Sequence, residues 1–419
     1  MNEILIKNCT LNGKATDLLI NGRRIAAIGT NLTAGEGAKV IDGSGKAVLP
    51  PFYNTHAHSA MTLLRGYADD MELFKWLNEY IWPIEAKLTS EDVYIGTRLA
   101  ILEMIKSGTV FFNDMYWFQL ATVRAADDMK VRAGVGVMFL EDASGKLSEQ
   151  NRLSNEELLA HRKEFSDRIT LTLAPHAIYT VSEAGLRRCA EQSAASGMPV
   201  HMHLSETKKE VADCRAAHNG MSPVEYIKTT GLLNRNLIAA HCVAFDDHDF
   251  DLFAEAGGVI SHMPCSNSKL ASGCFDLARA VRHNCRVTIG TDGCASNNNL
   301  SMMDEMKFAA LNAKLLTGDP AAAPAPVVYD IATRAGAEAF GIDGGIIAVG
   351  KAADLILVDL NNTLLCGGNL ISDMVYSADT SCVDTVICDG NVLMEHRKVE
   401  NEEEIVAAAR DCRLRLTGK

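Results

Sequence analysis

Apolar segments of strand length alternate with amphipathic stretches through the middle of the chain. Eight apolar segments have this pattern, most of them with polar or metal-binding residue types at or near their ends: AVLPPFYNTHAH, GTVFFNDM, RAGVGVMF, ITLTLAPHAI, PVHMHLSE, LIAAHCVAF, GVISHMPCSN and RVTIGTDGCAS. Stretches with helical periodicity lie between them, such as SEAGLRRCAEQSAASG and DHDFDLFAEAG, which open on Ser or Asp and close on Gly. Eight such βα units in succession predict a (β/α)₈ TIM-type barrel over residues 51–346.

The two ends of the chain have a different pattern, with short strands and tight turns. Before residue 50 the candidate strands are EILIKNCTL, ATDLLING, RIAAIG and KVIDGSGKAVLP, and the pattern returns in IAVGKAADLILVDL and DTVICDGNVLMEH. We therefore expect residues 1–50 and 347–400 to fold together as a second, small β domain. The stretch NEEEIVAAARDCRLRL predicts a surface helix within residues 401–419.

Composition narrows the class of protein. The chain has 419 residues, of which 47% are hydrophobic, and a formal net charge of -13 without any basic stripe, which argues against a nucleic-acid partner. Its 12 cysteines are scattered without a Cys-x-x-Cys pair, as expected of reduced core cysteines. The start of the sequence lacks the pattern of a signal peptide, and no apolar run is long enough to span a membrane. These features predict a cytoplasmic protein that does not bind membranes.

Reactive side chains cluster at the carboxyl ends of the predicted strands, where barrels of this type carry their active sites. A single histidine is most often a core or surface residue, but five histidines at the mouths of predicted strands indicate a site. The residues concerned are His56, His58, His176, His203, Glu206, His241 and Asp292.

Histidine nitrogens and a carboxylate oxygen suit a zinc ion, with iron as the second choice. On strand five, His201 and His203 share a face, so spacing alone does not choose between them. We prefer His203 because it lies nearer the mouth, and we expect His201 in the barrel interior and His262 in a structural role. The predicted ligands of one divalent metal ion are His56, His58, His203 and Asp292.

Glu206 lies three residues beyond His203, off the strand. A carboxyl group there can approach the metal without binding it, and it is suited to carry protons between water and substrate. The alternative is a solvated loop carboxylate, which its neighbours make less favourable.

Several motifs resemble the amidohydrolase superfamily, and most of all its methylthioadenosine/S-adenosylhomocysteine deaminases and their chlorohydrolase relatives. These motifs are NTHAHSAMTLLRGYADD, HMHLSET, AAHC, MPCSNSKLASG and GTDGCASNNNLSMMDEM, and the resemblance runs nearly the whole length. It implies a distorted (β/α)₈ barrel with a β-sandwich built from both chain ends. Some relatives bridge two metals with a carboxylated lysine on strand four, but LAPHAIY has none, so a single metal is implied.

The resemblance also implies a reaction, the hydrolytic release of ammonia from the 6-position of an adenosine-type nucleoside. Glu206 would pass a proton to the ring nitrogen, Asp292 would take the proton of the attacking water, and His241 would hydrogen-bond the nucleophile. The implied substrate contacts are Glu85 to the ribose hydroxyls, His176 to the purine, and Trp76 and Ser296 as pocket residues. Alternatives are another purine, a pyrimidine or a triazine on the same machinery, or a non-catalytic scaffold, which the intact ligand set disfavours.

The sequence departs from the family at the end of strand three. Relatives that bind S-adenosylhomocysteine have an arginine there for the amino-acid carboxylate, whereas this chain has GVMFLED. Lys146 or Arg152 in the following loop could substitute, although a lysine does not reproduce a bidentate fork. The departure favours 5'-methylthioadenosine or adenosine as substrate. The sequence leaves open the oligomeric state, and a homo-oligomer is compatible with it.

Overall fold

The computed structural model describes residues 3–142 and 144–418. Eighteen strands occur in this part of the chain. They are β1 (Glu3–Leu11), β2 (Lys14–Asn21), β3 (Arg24–Gly29), β4 (Lys39–Asp42), β5 (Lys46–Leu49), β6 (Phe52–His58), β7 (Thr109–Asp114), β8 (Arg132–Phe139), β9 (Ile169–Pro175), β10 (Val200–Leu204), β11 (Leu237–His241), β12 (Val259–His262), β13 (Arg286–Ile289), β14 (Asp292–Gly293), β15 (Leu355–Asp359), β16 (Val383–Cys388), β17 (Asn391–Glu395) and β18 (Lys398–Val399).

The helices follow the predicted alternation with the strands. They are α1 (Leu73–Trp76), α2 (Trp82–Glu85), α3 (Ser90–Lys106), α4 (Gln119–Asp128), α5 (Glu149–His161), α6 (Glu183–Ser196), α7 (Lys208–Ala217), α8 (Pro223–Thr230), α9 (Asp247–Ala256), α10 (Pro264–Lys269), α11 (Leu277–Arg282), α12 (Cys294–Asn297), α13 (Met302–Thr317), α14 (Ala325–Ala332), α15 (Arg334–Ala339), α16 (Leu370–Tyr376) and α17 (Glu402–Thr417). Short 3₁₀ turns cover Ser59–Leu64, Thr363–Leu365 and Thr380–Cys382, and one π-helical turn covers Leu77–Ile81.

The capping residues show why these helices begin and end where they do. Ser182 accepts a hydrogen bond from the third amide of α6, and Gly197 ends that helix in the left-handed conformation. Asp246 forms a capping box with Asp249 at the start of α9, and Gly257 ends it in the same way. The Ser/Asp-to-Gly pattern of the sequence therefore marks both helices to within one residue.

The central sheet is the predicted distorted barrel. Strands β6 to β13 pair in chain order, all parallel, and the eighth strand is split between β13 and β14. β13 pairs with β12, whereas β14 pairs with β6 on the other side, so the sheet closes on itself. At Gly290, between the two pieces, a Cβ atom would lie 2.8 Å from the amide nitrogen of His56. Glycine at this position therefore lets the eighth barrel strand approach the first one, β6.

The first predicted strand is in fact two. Residues 46–49 form β5 in the sheet of the chain ends, whereas residues 52–58 form β6 in the barrel. Pro50 and Pro51 separate them, and neither has an amide hydrogen to donate to a sheet. A single apolar run therefore crosses from one sheet to the other.

The two chain ends form one mixed sheet in the order β18-β17-β16-β15-β5-β1-β2-β3, with β4 beside β1. Alternate residues of β15 face opposite sides: Leu355 and Leu357 belong to a core of the chain-end sheet, while Ile356 and Val358 pack with the barrel core. The second β unit built from both ends is thus confirmed. The domain bounds 1–50, 51–346, 347–400 and 401–419 stay a prediction.

Residues 59–88 and α17 share a separate apolar cluster beside the barrel mouth. Ala409, Cys412 and Leu416 of α17 pack there with residues of this segment, including Met61 and Trp76. The last helix therefore supports one wall of the mouth. None of the helices in the described ranges is long and apolar enough to cross a membrane.

Candidate active site

The four predicted metal ligands meet at the mouth of the barrel. Asp292 Oδ1 lies 3.3 Å from His56 Nε2 and 3.2 Å from His58 Nε2. His203 Nε2 lies 3.3 Å from His58 Nε2. Strands β6, β10 and β14 bring these residues together from positions far apart in the chain.

The second ring nitrogen of each histidine is held by a different partner. His56 Nδ1 lies 2.7 Å from His201 Nε2, His58 Nδ1 lies 2.6 Å from the carbonyl oxygen of Met115, and His203 Nδ1 lies 2.8 Å from that of His176. These contacts orient the three Nε2 atoms toward one point, as in metal sites whose ligands are held by outer hydrogen bonds. His201 lies in the barrel interior, as expected.

The donor atoms fit a divalent cation. Nε2 of His56 is fully buried and makes no well-oriented hydrogen bond in the described structure. Ligand atoms of His56, His58 and His203 lie within 4.8 Å of one another, and so do those of His56, His241 and Asp292. Three imidazole nitrogens and one carboxylate oxygen are a ligand set typical of zinc, iron and related ions. This part of the barrel mouth is therefore suited to bind one divalent metal ion.

Asp292 is held by two serines. Ser266 and Ser296 donate hydrogen bonds of 2.6 Å and 2.8 Å to its Oδ2, which leaves Oδ1 facing the histidines. Burial alone would raise the pKa of Asp292, but the neighbouring imidazoles of His56 and His58 hold it well below the usual range. The carboxylate is therefore ionised, as a metal ligand requires. Its φ of 61° is uncommon for a non-glycine residue, a kind of strain that concentrates at functional sites.

Glu206 and His241 lie side by side next to the predicted ligands. Glu206 Oε2 lies 3.8 Å from His241 Nε2, and Ser272 donates a hydrogen bond of 3.0 Å to Oε1. Asn267 Oδ1 lies 2.8 Å from His241 Nδ1 and thereby orients that ring. Burial raises the pKa of Glu206. Burial disfavours the charged form of the carboxyl group, and this is the direction of shift expected of a group that both donates and accepts a proton.

A cavity opens beside these groups, with mostly apolar and aromatic walls. Trp76, Glu85, His176 and Ser296, the residues expected to contact substrate, all line it together with Glu206. The Nε1 of Trp76 donates to the carbonyl oxygen of Ala68, so this indole has a packing role as well.

Glu85 directs a buried carboxyl group at the cavity. Its Oε2 accepts a hydrogen bond of 3.3 Å from Trp117, and the Tyr116 hydroxyl lies close enough to lower its pKa, but Oε1 makes no well-oriented hydrogen bond among the described residues. Burial raises the pKa of Glu85. A buried carboxyl oxygen without a partner is costly, and a bound hydroxyl group would satisfy it.

The end of β8, the third strand of the barrel, contributes apolar side chains to the same cavity. Met138 and Leu140 line it, and none of the described residues around it is a lysine or an arginine. Glu141 points away from the cavity, where its carboxylate accepts hydrogen bonds from Arg188 and the amide of Ser182. Arg152 forms an exposed i,i+4 pair with Glu156 on α5. Neither cation of this loop replaces the family's arginine in the structure.

Sequence reasoning missed several groups that hold the site. Met115 follows β7, the second barrel strand, which carries no predicted site residue. It acts through its backbone carbonyl oxygen, and the pattern of side chains in a sequence does not reveal such a role. Ser266 and Asn267 lie in the MPCSN motif, so that motif was a signal, although no role follows from spacing alone. Ser272, which donates to Glu206, lies in the longer form of the same motif, MPCSNSKLASG. His262 is buried against the ring of Phe275, consistent with a structural role.

Comparison with known families identifies the fold. The Amidohydrolase family model matches residues 47–393, most of the chain. The chain belongs to the amidohydrolase family. This amidohydrolase is 44% identical to the 5-methylthioadenosine/S-adenosylhomocysteine deaminase 1 of Archaeoglobus fulgidus, over 99% of both chains. It is 43% identical to a 5'-deoxyadenosine deaminase of Methanoregula boonei, covering 99% of this chain and 95% of the relative.

A solved structure agrees with these relatives. The crystal structure of an adenosine deaminase from Xanthomonas campestris with bound zinc superposes with a TM-score of 0.93 and 32% identity, covering 100% of this chain and 99% of that one. The barrel, the chain-end sheet and the order of elements are therefore those of the family. The sequence resemblance to the amidohydrolases is confirmed.

Proposed function

We propose that this amidohydrolase is a hydrolytic deaminase of adenosine-type nucleosides. It would replace the 6-amino group of the purine by oxygen and release ammonia. The observation that carries the proposal is the position of Glu206 and His241 directly beside the His56–His58–His203–Asp292 cluster, on a cavity with apolar walls. The deaminases among its relatives support the same reaction.

One zinc ion would be held by His56, His58, His203 and Asp292. When bound, such an ion lowers the pKa of water toward neutrality and so provides a nucleophile. The zinc bound in the Xanthomonas campestris structure supports a divalent metal ion at this site. Since strand four carries no lysine in LAPHAIY, we propose one ion per chain.

The protein's own groups move the protons. Glu206 would donate a proton to the ring nitrogen adjacent to the 6-carbon, which makes that carbon electrophilic. Asp292 would receive the proton that water loses and pass it to the departing ammonia. His241, oriented by Asn267, would hydrogen-bond the oxygen as it adds to the carbon. As the carbon–nitrogen bond breaks, the added hydroxyl group would return a proton to Glu206, so the net change is the addition of one water and the loss of one ammonia.

Four further groups would position the nucleoside. Oε1 of Glu85 would accept hydrogen bonds from ribose hydroxyls. Burial lowers the pKa of His176 to about 3, so that ring is neutral, and its Nδ1 lies 2.9 Å from Thr180 Oγ1. We propose that His176 contacts the purine through the side of its ring that points away from Thr180, and that Trp76 and Ser296 complete the pocket.

The activity test uses purified, metal-replete protein and a panel of purine nucleosides. We expect the adenine-to-hypoxanthine absorbance change, with one ammonia released per turnover, for adenosine and for 5'-methylthioadenosine. Elemental analysis of the same preparation should show one divalent metal per chain. Guanosine serves as the control substrate. Turnover of guanosine alone, or two tightly bound metals per chain, would contradict the proposal.

The apolar end of strand three predicts substrate preference. A charge-assisted hydrogen bond to the substrate carboxylate would contribute roughly 1.5–3 kcal/mol, a factor of about 10–150 in specificity constant. Because Met138 and Leu140 stand there instead, the kcat/KM for S-adenosylhomocysteine should not exceed that for 5'-methylthioadenosine. Steady-state kinetics on both substrates measure this ratio.

Two variants separate the possible outcomes. Leu140→Arg should shift the ratio toward S-adenosylhomocysteine, whereas Arg152→Ala should leave it unchanged because Arg152 pairs with Glu156 on the surface. A native preference above about tenfold for S-adenosylhomocysteine that Arg152→Ala or Lys146→Ala abolishes would show that the loop supplies the cation.

A further inference from the structure

The turn after β10 carries Glu206, and a second glutamate holds it from behind. Strand pairing ends at Leu204, which lies opposite His241. Ser205 then adopts a left-handed φ of 50°, which is uncommon for serine and turns the chain toward the cavity. The amides of Ser205 and Glu206 both donate to the carboxylate of Glu210, at 2.9 Å to Oε1 and 2.8 Å to Oε2.

Glu210 is buried but does not take part in the proposed reaction. Glu210 is only 4% exposed, and it is not among the described residues that line the cavity beside Glu206. Without it, two successive amides would be buried with no partner, and each such group costs free energy. The side chain of Glu206 is anchored separately by Ser272. The main chain and the side chain of Glu206 therefore have different anchors.

Glu210 departs from the usual capping arrangement of a helix. Its own amide donates to the N-cap Thr207 at the start of α7. A glutamate at this position ordinarily returns its carboxylate to the N-cap amide, as Glu225 does to Ser222 at the start of α8, at 2.8 Å. The carboxylate of Glu210 instead reaches past the cap to the two preceding residues. The side chain is thus directed at the turn that bears Glu206.

We propose that Glu210 is a positioning residue for proton transfer, which fixes the main chain of Ser205 and Glu206 so that the Glu206 carboxyl group reaches the ring nitrogen. The inference rests on the proposed role of Glu206. It makes Glu210 act only through Glu206, without contact with the substrate or the metal ligands. A role in helix stability alone would affect folding and leave the proton transfer untouched.

The test is a double-mutant cycle on kcat. Glu210→Gln keeps the shape but has one acceptor oxygen, so one of the two amides would face an NH₂ group. Because misplacement of a catalytic group by about 1 Å costs up to about 100-fold, we expect kcat to fall about 10- to 100-fold, with KM and metal content nearly unchanged. In a Glu206→Gln background, the same change should lower single-turnover rates less than about twofold.

Two further variants complete the design. Glu225→Gln is the matched control, since it alters a capping glutamate remote from the site, and its kcat should equal that of the native protein. Glu210→Asp keeps the negative charge on a side chain that is shorter by one carbon, so we expect a partial loss of kcat. This variant provides a test even if Glu210→Gln does not fold. Native kcat in Glu210→Gln, or an equal loss with and without Glu206, would overturn the inference. Failure of the native protein to deaminate any nucleoside would instead overturn the proposed function.

Discussion

Replacement of Glu206 by glutamine should lower turnover about 10²- to 10⁴-fold, the scale usual for a positioned acid/base group. The amide has nearly the same shape, and it retains an oxygen for the hydrogen bond from Ser272. It cannot donate and recover a proton, however, so the ring nitrogen would remain unprotonated as the nucleophile adds. Stopped assays of ammonia release over a pH range measure the loss.

The control for this prediction is the metal site. Glu206 lies 3.8 Å from His241 and is not among the converging ligand atoms, so metal content should stay at the native level. Glu225→Gln should again behave as the native protein. A Glu206→Gln variant that keeps more than about a tenth of native turnover on an adenosine substrate would exclude Glu206 as the proton carrier.

The strands were the most predictable part of the fold. All eight predicted barrel strands occur, because buried parallel strands are short apolar runs. The bounds of β8 in the barrel, and of β1 and β3 in the chain-end sheet, match the predicted ones. The boundary between β5 and β6 was missed, since Pro50 and Pro51 interrupt hydrogen bonding without interrupting the apolar pattern. The segment 59–88 has no simple period, because it combines 3₁₀, α and π turns that pack against α17, more than 300 residues away.

The candidate site, like the fold, could be predicted from the sequence only in part. Side chains at strand ends could be predicted because the fold brings the carboxyl ends of all eight strands to one face. The groups that orient them could not be predicted: Met115 acts through its carbonyl oxygen, and Ser272 lies in the quoted motif MPCSNSKLASG, whose spacing does not show which side chain it contacts. We prefer His203 to His201 as metal ligand because it lies nearer the carboxyl end of the same strand, and this choice remains a prediction. In the structure the ring of His201 contacts that of His56.

The Arg132→Met variant should lose about 3–5 kcal/mol of unfolding free energy, the usual cost of removing one partner of a buried ion pair. Arg132 lies at the start of β8, at the end of the barrel away from the site. Its guanidinium donates to Asp354 at 2.9 Å and to Asp389 at 2.7 Å, and both carboxylates belong to the sheet of the chain ends. Methionine would leave the buried Asp354 carboxylate without a cation, whereas Asp389 would keep its ion pair with Arg23 at 2.7 Å.

The matched control is Arg152→Met, which removes an arginine from an exposed pair with Glu156. Surface pairs of this kind contribute about 0.3–0.5 kcal/mol, so urea unfolding of that variant should nearly match the native protein. Equal stabilities of the two variants would show that the Arg132 network does not hold the chain-end sheet to the barrel.

The pairing of β5 with β15 has a consequence for synthesis of the chain. Roughly 300 residues separate the two strands, and at about 5–20 residues per second a ribosome needs about 15–60 s to make them. During that time β1, β2 and β3 can already form an antiparallel unit, but β5 has an open edge and unburied Val48 and Leu49. A ribosome that pauses within the barrel therefore leaves an exposed apolar strand, the kind of surface to which chaperones bind or at which nascent chains aggregate.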